Sequence, residues 1–356
     1  MFRVLAMILA LGSTAVPSAS ATEAWFPLDV DVWTPAFNKE RTTQRQRYSV
    51  LERVSKKWNI CVAIPHLKDA YWLAANYGLI MEARRLDIRM TVFEAGGYDK
   101  LDRQRDQIVE CMGEPADALI AGAVSADGLN DLVERYTAAG KPVIDLINGI
   151  ASPKVTARAA VDNFHMGRLA GEYLRQLPGV TGKEVKVAWF PGPEGSVWST
   201  AADEGFRASL RGSSASIVAT GWGDTGLARQ AKLVTEAIDA HPDVSFIVGT
   251  GVTAEAAIQE VRRRGRESHI RVLSYYFTPG VHRGIVRGSI AASPSDVPAL
   301  QARLAVDLAV RALEKQLVIR HLAAPIQVLD AKALSGVDLS GSMAPEGFRA
   351  ILSVGR

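Results

Sequence analysis

The stretch that decides the fold is NICVAIP, residues 59–65, in which five apolar residues run without interruption up to Pro65. A strand that is apolar throughout is typical of a parallel sheet that is buried on both faces. Asp69 follows at a position suited to capping a helix, and the apolar residues Leu73 and Tyr77 recur behind it at helical spacing. The sequence therefore predicts a buried strand followed by a helix.

The same strand–helix unit recurs along the rest of the chain. We predict strands at residues 60–64, 88–93, 118–120, 143–146, 159–161, 185–190, 216–220, 246–248, 271–274 and 326–329. Amphipathic helices separate most of them, and the series restarts near residue 159. This pattern predicts an α/β protein of two doubly wound parallel-sheet lobes. Because ligands of such sheets bind beyond the carboxyl ends of the strands, we expect a binding cleft between the lobes.

Composition excludes several classes of protein. The chain has 356 residues, 48% of them hydrophobic and 22% charged, which is ordinary for a globular protein of about two domains. Its 41 basic and 38 acidic residues leave a net charge of only +3, which argues against a nucleic-acid-binding surface. The two cysteines are too few for a four-cysteine zinc site or a disulfide-rich scaffold.

The first 21 residues have the pattern of a secretory signal peptide. Arg3 supplies the positive charge, residues 4–11 the apolar core, and residues 19–21, ASA, the small-residue cleavage site. The apolar run is shorter than the ~20 residues of a membrane-spanning helix, so no membrane insertion is expected. We predict export to the periplasm of a Gram-negative cell.

Residues 22–57 differ from the rest of the chain. They combine aromatic residues, including Trp25 and Trp33, with a cationic run at residues 39–47, and they show no clean periodicity. We expect an extended N-terminal arm whose aromatic side chains pack against the body. A segment that contacts a partner is the alternative.

We find no pattern of catalytic, metal-binding or cofactor-binding residues. The six histidines are scattered, without the spacing of a metal site. Residues 249–251, GTG, open a helix after a strand but lack the third glycine of a dinucleotide fingerprint. Residues 262–264, RRR, suit the end of a helix, where cations are favoured by the helix dipole. We therefore expect no catalytic residue, no metal and no cofactor, and a binding protein rather than an enzyme.

The two cysteines lie in the first strand and in the second helix of the predicted fold. In a doubly wound sheet that helix can pack near the first strand, which would bring Cys61 and Cys111 together. An oxidising compartment favours a disulfide between them. The alternative is a pair of buried free thiols.

Aromatic and polar residues directly follow many of the predicted strands. Aromatic faces suit a methylated cation or the C–H face of a sugar ring. Any one of these residues can be a packing residue, but the set favours a ligand site. The candidate ligand-binding residues are Tyr71, Trp72, Tyr98, Asn163, Trp198, Asp224, Tyr276 and Asp296. Among them, Trp198 is expected in a Gly/Pro-rich loop.

Two motifs resemble the TorT family, the periplasmic sensors of the trimethylamine N-oxide respiratory system. They are PHLKDAYWL at residues 65–73 and EAGGY at residues 94–98. Shorter matches, such as PGP at residues 191–193 and PEGFR at residues 345–349, extend the resemblance over most of the chain.

This resemblance implies the fold of type I periplasmic binding proteins, in which three crossovers join the two lobes. The first lobe would comprise residues 58–157 and 296–325. The second lobe would comprise residues 158–295 and 326–356.

The resemblance also implies ligand contacts at Tyr71, Trp72 and Tyr98, and it places Asp296 where the chain returns to the first lobe. This sequence departs from the family at Asn163, where related members carry Trp. Asp162-Asn163 is instead a pair that sugar-binding members of the superfamily often show. Trp198 is a candidate for the missing aromatic wall.

Two functions follow as hypotheses. The first is a periplasmic protein that senses trimethylamine N-oxide, or a related methylated or small polar compound, and signals to the periplasmic domain of a membrane histidine kinase. The second is the solute-binding component of a sugar-type ABC importer, with a permease as its partner. An exported enzyme is a third and weaker hypothesis.

Overall fold

The computed structural model describes residues 25–113, 115–178, 180 and 182–355. The predicted signal peptide, residues 1–21, lies outside them. The strands are β1 (Leu28–Trp33), β2 (Thr43–Tyr48), β3 (Asn59–Ile64), β4 (Arg89–Glu94), β5 (Ala118–Ala121), β6 (Val143–Ile147), β7 (Ala157–Ala160), β8 (Val185–Gly192), β9 (Ala215–Trp222), β10 (Phe246–Gly249), β11 (Arg271–Ser274), β12 (Ala292–Ser295), β13 (His321–Ala323), β14 (Gln327–Asp330) and β15 (Ser353–Val354).

Helices connect most of these strands. They are α1 (Ala70–Arg85), α2 (Leu101–Gly113), α3 (Asn130–Ala138), α4 (Asn163–Gln176), α5 (Val197–Leu210), α6 (Leu227–Ala240), α7 (Gly251–Arg263), α8 (Pro279–Val286) and α9 (Pro298–Leu313). Among the residues that the structure describes, every helix falls short of the length and apolar character that a membrane crossing requires.

The first lobe is built on a sheet with the strand order β15-β4-β3-β5-β6-β7-β13-β1-β2. Its five central strands, which are β4, β3, β5, β6 and β7 in the order of the sheet, are parallel to one another. On one face, Ile60 and Ile64 of β3 share a core with Leu79 of α1. On the other face, Cys61 and Ala63 of the same strand share a second core with α2 and α3. The apolar run at residues 60–64 is thus buried on both faces, and the predicted α/β fold class is confirmed.

The second lobe is built on a parallel sheet with the order β11-β10-β8-β9. Trp189 of β8 stacks on Phe206 of α5, with ring centroids 4.1 Å apart. On the opposite face of β8, Phe190 shares a core with Val234 of α6. Strands β12 and β14 form a small antiparallel pair of their own.

The chain passes between the lobes at the three expected crossovers. They lie between β7 and α4, between β12 and α9, and between β13 and β14. A further passage after β14 returns the chain to the first lobe, because β15 pairs with β4. The side chain of Asn76 fixes this return, since its Nδ2 donates to the carbonyl of Ile351 at 3.0 Å and its Oδ1 accepts from the amide of Ile351 at 2.9 Å.

Sheet membership therefore differs from the expected lobe boundaries in two places. Strand β7 lies between β6 and β13 in the large sheet, whereas residue 158 was expected to open the second lobe. Strand β15 also belongs to the large sheet, whereas residues 326–356 were expected in the second lobe. In both places the hydrogen bonds between strands determine which sheet the strand joins. Strand β15 has only two residues, so its sequence carries no periodicity from which it could be predicted.

The extended N-terminal arm forms an antiparallel hairpin of β1 and β2. It extends the large sheet through the pairing of β1 with β13. Asp31 accepts from Arg45 across the hairpin at 2.7 Å, so part of the cationic run is paired with an acidic residue of β1. Trp33 stacks on His321 with centroids 4.1 Å apart, which agrees with an arm whose aromatic side chains pack on the body.

The disulfide between Cys61 and Cys111 is present. Cys61 lies on β3 and Cys111 near the end of α2, and their Cα atoms are 5.9 Å apart. The bond therefore ties α2 to the central strand of the first lobe.

We expect the double variant Cys61→Ala/Cys111→Ala to lose about 4 kcal/mol of unfolding free energy. The reason is that the bond closes a loop with a sequence separation of 50, which restricts the unfolded chain. Urea denaturation of the two proteins measures the difference. Equal midpoints for variant and wild type would contradict the prediction, as would alkylation of the folded wild type without reductant.

Candidate functional site between the lobes

A small cavity lies between the two lobes, at the carboxyl ends of their parallel strands. The space in it that is open to the centres of water molecules is about 30 Å³. Its lining residues are Asp69, Tyr71, Trp72, Tyr98, Ile147, Asn148, Asn163, Met166, Trp198, Thr225, Tyr276 and Asp296. The cavity thus has room for a compound of only a few non-hydrogen atoms.

Five aromatic side chains form a continuous ring around this cavity. Ring centroids are 6.0 Å apart for Tyr71 and Trp72, and 5.3 Å apart for Tyr71 and Tyr276. They are 5.5 Å apart for Tyr98 and Trp198, and 6.4 Å apart for Trp198 and Tyr276. A hydrogen bond of 3.2 Å from Trp72 Nε1 to the Tyr98 hydroxyl closes the ring. The first lobe supplies three of the five side chains and the second lobe supplies two.

Local structure holds each indole in place. Asp69 caps α1 by accepting from the amide of Trp72 at 3.1 Å, which sets Tyr71 and Trp72 in the first turn. Trp72 then lies over Gly122, where a Cβ atom would be 2.5 Å from the indole. Trp198 lies in the same way over Gly192, where the added Cβ would also be 2.5 Å from the indole. Each lobe thus uses a glycine at the end of a strand to seat a tryptophan.

The polar groups of the cavity are buried and mostly paired. Burial raises the pKa of the hydroxyls of Tyr71, Tyr98 and Tyr276, so all three stay protonated. The Tyr98 hydroxyl accepts a second hydrogen bond, from Asn148 Nδ2 at 3.2 Å. The cavity therefore presents neutral aromatic surfaces over most of its wall.

Two carboxyl groups interrupt this wall, those of Asp69 and Asp296, and Asp296 is only 1% exposed. Its Oδ2 accepts from the Tyr71 hydroxyl at 2.5 Å, and burial raises the pKa of Asp296 to about 6. In the part of the chain that the structure describes, Asp296 Oδ1 and Trp198 Nε1 are buried and have no hydrogen-bond partner. Asp296 and Trp198 both line the cavity, so one unpaired acceptor and one unpaired donor belong to its wall.

Polar side chains join the lobes at the mouth of the cavity. Thr225 of the second lobe donates to Asp69 Oδ2 at 3.3 Å and lies 3.3 Å from Nε2 of His66. Lys68 forms an ion pair with Asp224 across the same mouth. Burial lowers the pKa of His66, which keeps its imidazole neutral. The lobes are thus in direct contact on the open side of the cleft.

The fold, the cavity and the sequence agree with one group of proteins. The profile described as "Periplasmic binding protein domain" matches residues 60–317. The chain belongs to the periplasmic binding protein family. Among its relatives, "Periplasmic protein TorT" of Escherichia coli K12 is 37% identical over 299 residues, which is 84% of this chain and 85% of that protein.

Two solved structures of this family extend the comparison. A solute binding protein of an ABC transporter from Bradyrhizobium sp. BTAi1, with bound bis-tris, has a TM-score of 0.80 and 42% identity, covering 92% of this chain and 98% of its own. The complex of the TorS sensor domain with TorT, in the presence of TMAO, contains a chain with a TM-score of 0.75 and 31% identity, covering 83% of this chain and 99% of its own. These relatives are binding or sensor proteins rather than enzymes.

Seven of the eight candidate ligand-binding residues line the cavity of this periplasmic binding protein. They are Tyr71, Trp72, Tyr98, Asn163, Trp198, Tyr276 and Asp296, and their role in binding stays a prediction. Trp198 lies in the first turn of α5 rather than in a loop. The exception is Asp224, which pairs with Lys68 at the mouth and is not among the lining residues.

Sequence reasoning missed several lining residues. Asn148 directly follows β6, so the same rule of polar residues at strand ends would have found it. Thr225 is the neighbour of Asp224, and Asp69 was recognised only as a helix cap. Ile147 and Met166 carry no signal, because apolar residues of these types are usual in any core.

We expect Gly122→Ala to displace Trp72, because the added methyl group would lie 2.5 Å from the indole. Overpacking of this kind costs about 1–3 kcal/mol of unfolding free energy. Gly336→Ala is the matched control, since a Cβ there meets nothing within 4 Å. Denaturation and crystal structures of both variants test this. An unmoved indole and equal stability in the two variants would contradict it.

Proposed function

We propose that this chain is a periplasmic sensor that holds trimethylamine N-oxide, or a closely related small methylated amine, between its lobes. In this proposal the ligand-bound form signals through the periplasmic domain of a membrane histidine kinase. The ring of five aromatic side chains around a small cavity is the observation that carries the proposal.

The chemistry of the cavity matches this ligand. A methylated nitrogen carries positive charge and is attracted to aromatic faces, each contact contributing about 0.5–2 kcal/mol. Its oxygen needs a hydrogen-bond donor, and Trp198 Nε1 is a donor without a partner among the described residues. The small volume favours a compound of this size over a hexose, which has more than twice as many non-hydrogen atoms.

The relatives support the same assignment. TorT forms a complex with the TorS sensor domain, both in the absence of ligand and in the presence of TMAO. The predicted signal peptide agrees with a periplasmic location, where these relatives act.

We expect isothermal titration calorimetry to detect binding of trimethylamine N-oxide, and Trp198→Leu to weaken it. Loss of one aromatic face corresponds to about a 2- to 30-fold rise in Kd. Trp58→Leu is the matched control, because Trp58 binds Glu314 through Nε1 at 2.6 Å and lies outside the cavity. Absence of heat at millimolar ligand, with and without the kinase domain, would contradict the proposal.

We expect the chain to co-elute with the sensor domain of a TorS-type histidine kinase. A sensor of this type acts by population shift, so the ligand should change the stability of the complex. Size-exclusion chromatography with and without trimethylamine N-oxide measures both effects. Separate elution of the two folded proteins under both conditions would argue against a kinase partner.

The alternative is the solute-binding component of an ABC importer, and the description of the Bradyrhizobium relative favours it. A sugar ligand is less well supported, because the Asp162 carboxylate caps α4 by accepting from the amide of His165 at 3.0 Å. Only Asn163 of that pair lines the cavity. A thermal-shift screen with pentoses and hexoses separates the two functions.

A further inference from the structure

The two buried polar atoms in the cavity make different demands on an occupant. Trp198 Nε1–H is a donor and needs an acceptor. Asp296 Oδ1 is an acceptor when the carboxyl group is ionised, and a donor only when it carries a proton. Because unpaired buried polar groups are unfavourable, a good ligand has to satisfy both atoms.

The oxygen of an N-oxide can only accept hydrogen bonds, because its nitrogen carries three methyl groups and no hydrogen. It therefore satisfies Trp198 Nε1–H directly. Against an ionised Asp296, however, two oxygen acceptors would face each other without a proton between them. That arrangement is repulsive in a buried site.

We propose that the N-oxide is bound together with one proton, which lies between Asp296 Oδ1 and the ligand oxygen while Trp198 Nε1–H donates to the same oxygen. This inference rests on the proposed function. The proton is taken from solvent when the ligand enters, and no covalent bond other than that to the proton forms or breaks.

The surroundings of Asp296 favour this arrangement. Tyr71 donates to Oδ2 at 2.5 Å, which leaves Oδ1 as the oxygen that takes the proton. Tyr98 and Tyr276 line the same cavity, and burial keeps their hydroxyls protonated by raising their pKa. The neighbouring Tyr275, whose pKa burial also raises, donates to the carbonyl of Pro191. Among the described residues that line the cavity, none is lysine, arginine or histidine.

Further titratable groups lie near the cavity, and two of them, Lys68 and Asp224, pair with each other at its mouth. Both carboxylate oxygens of Asp69 already accept hydrogen bonds, Oδ1 from the amide of Trp72 and Oδ2 from the hydroxyl of Thr225. His66 is kept neutral by burial, which lowers its pKa. Asp296, whose pKa burial raises to about 6, is therefore the group that takes up a proton near neutral pH.

The pH dependence follows from this assignment. Above about pH 6 the free protein holds Asp296 ionised, so each bound ligand must bring one proton from solvent. The Kd should then rise about tenfold per pH unit between about pH 6.5 and about pH 8, and level off at lower pH. In Asp296→Asn the amide supplies its own N–H to the ligand oxygen, so the Kd should not depend on pH.

Calorimetry with trimethylamine N-oxide, from about pH 5.5 to about pH 8 in buffers of different ionisation enthalpy, counts the protons taken up. We expect uptake close to one proton at the upper end for wild type and none for Asp296→Asn. Asp338→Asn is the matched control, because the Asp338 carboxylate accepts from Ser340 two residues along the chain and lies outside the cavity. It should retain the pH dependence.

The outcomes separate this inference from the function on which it rests. Binding of the N-oxide by wild type with constant Kd and no proton uptake would overturn the shared proton and leave the proposed ligand standing. Absence of N-oxide binding by the folded protein at every pH would overturn both. If Asp296→Asn does not fold, the number of protons taken up by the wild-type protein on binding still tests the shared proton.

Discussion

Both faces of strand β3 have to be covered, and much of the architecture follows from that constraint. Residues 60–64 alternate between a core shared with α1 and α9 and a core shared with α2 and α3. Parallel strands with helices on both faces leave only their ends uncovered. The carboxyl ends of the two sheets are therefore the places where loops can carry functional side chains, and the cavity lies there.

The apolar strands and the helices between them could be predicted because burial on both faces leaves a strong sequence signal. Residues 271–274 were predicted with the bounds that the structure has. The signal fails where polar residues pair across a hairpin, as Asp31 does with Arg45 in the N-terminal arm. The sequence signal also fails at Trp198. The glycines and prolines before α5 suggest that Trp198 lies in a loop, but the helix has already begun at Val197.

The residues that each lobe contributes to the candidate site could be predicted from the sequence. Which of them meet across the cleft could not. Residues at strand ends reach the cleft whatever the other lobe does, which is why Tyr71, Tyr98 and Tyr276 share the cavity. Asp224 satisfies the same rule, but its partner is Lys68 of the opposite lobe. A sequence read one strand at a time contains no information on which loops meet across the cleft, so a ligand contact and an interlobe contact look alike.

In the proposed function, the division of the aromatic ring between the lobes connects ligand binding to closure of the cleft. The ion pair at the mouth joins side chains that are about one third exposed, and such pairs contribute about 0.2–1 kcal/mol. A shift from a mostly open to a mostly closed population needs about 5.5 kcal/mol of differential binding free energy. Surface contacts alone are too weak for that. A ring of three side chains from one lobe and two from the other surrounds a ligand only when the lobes meet, so most of the binding free energy is available to drive closure.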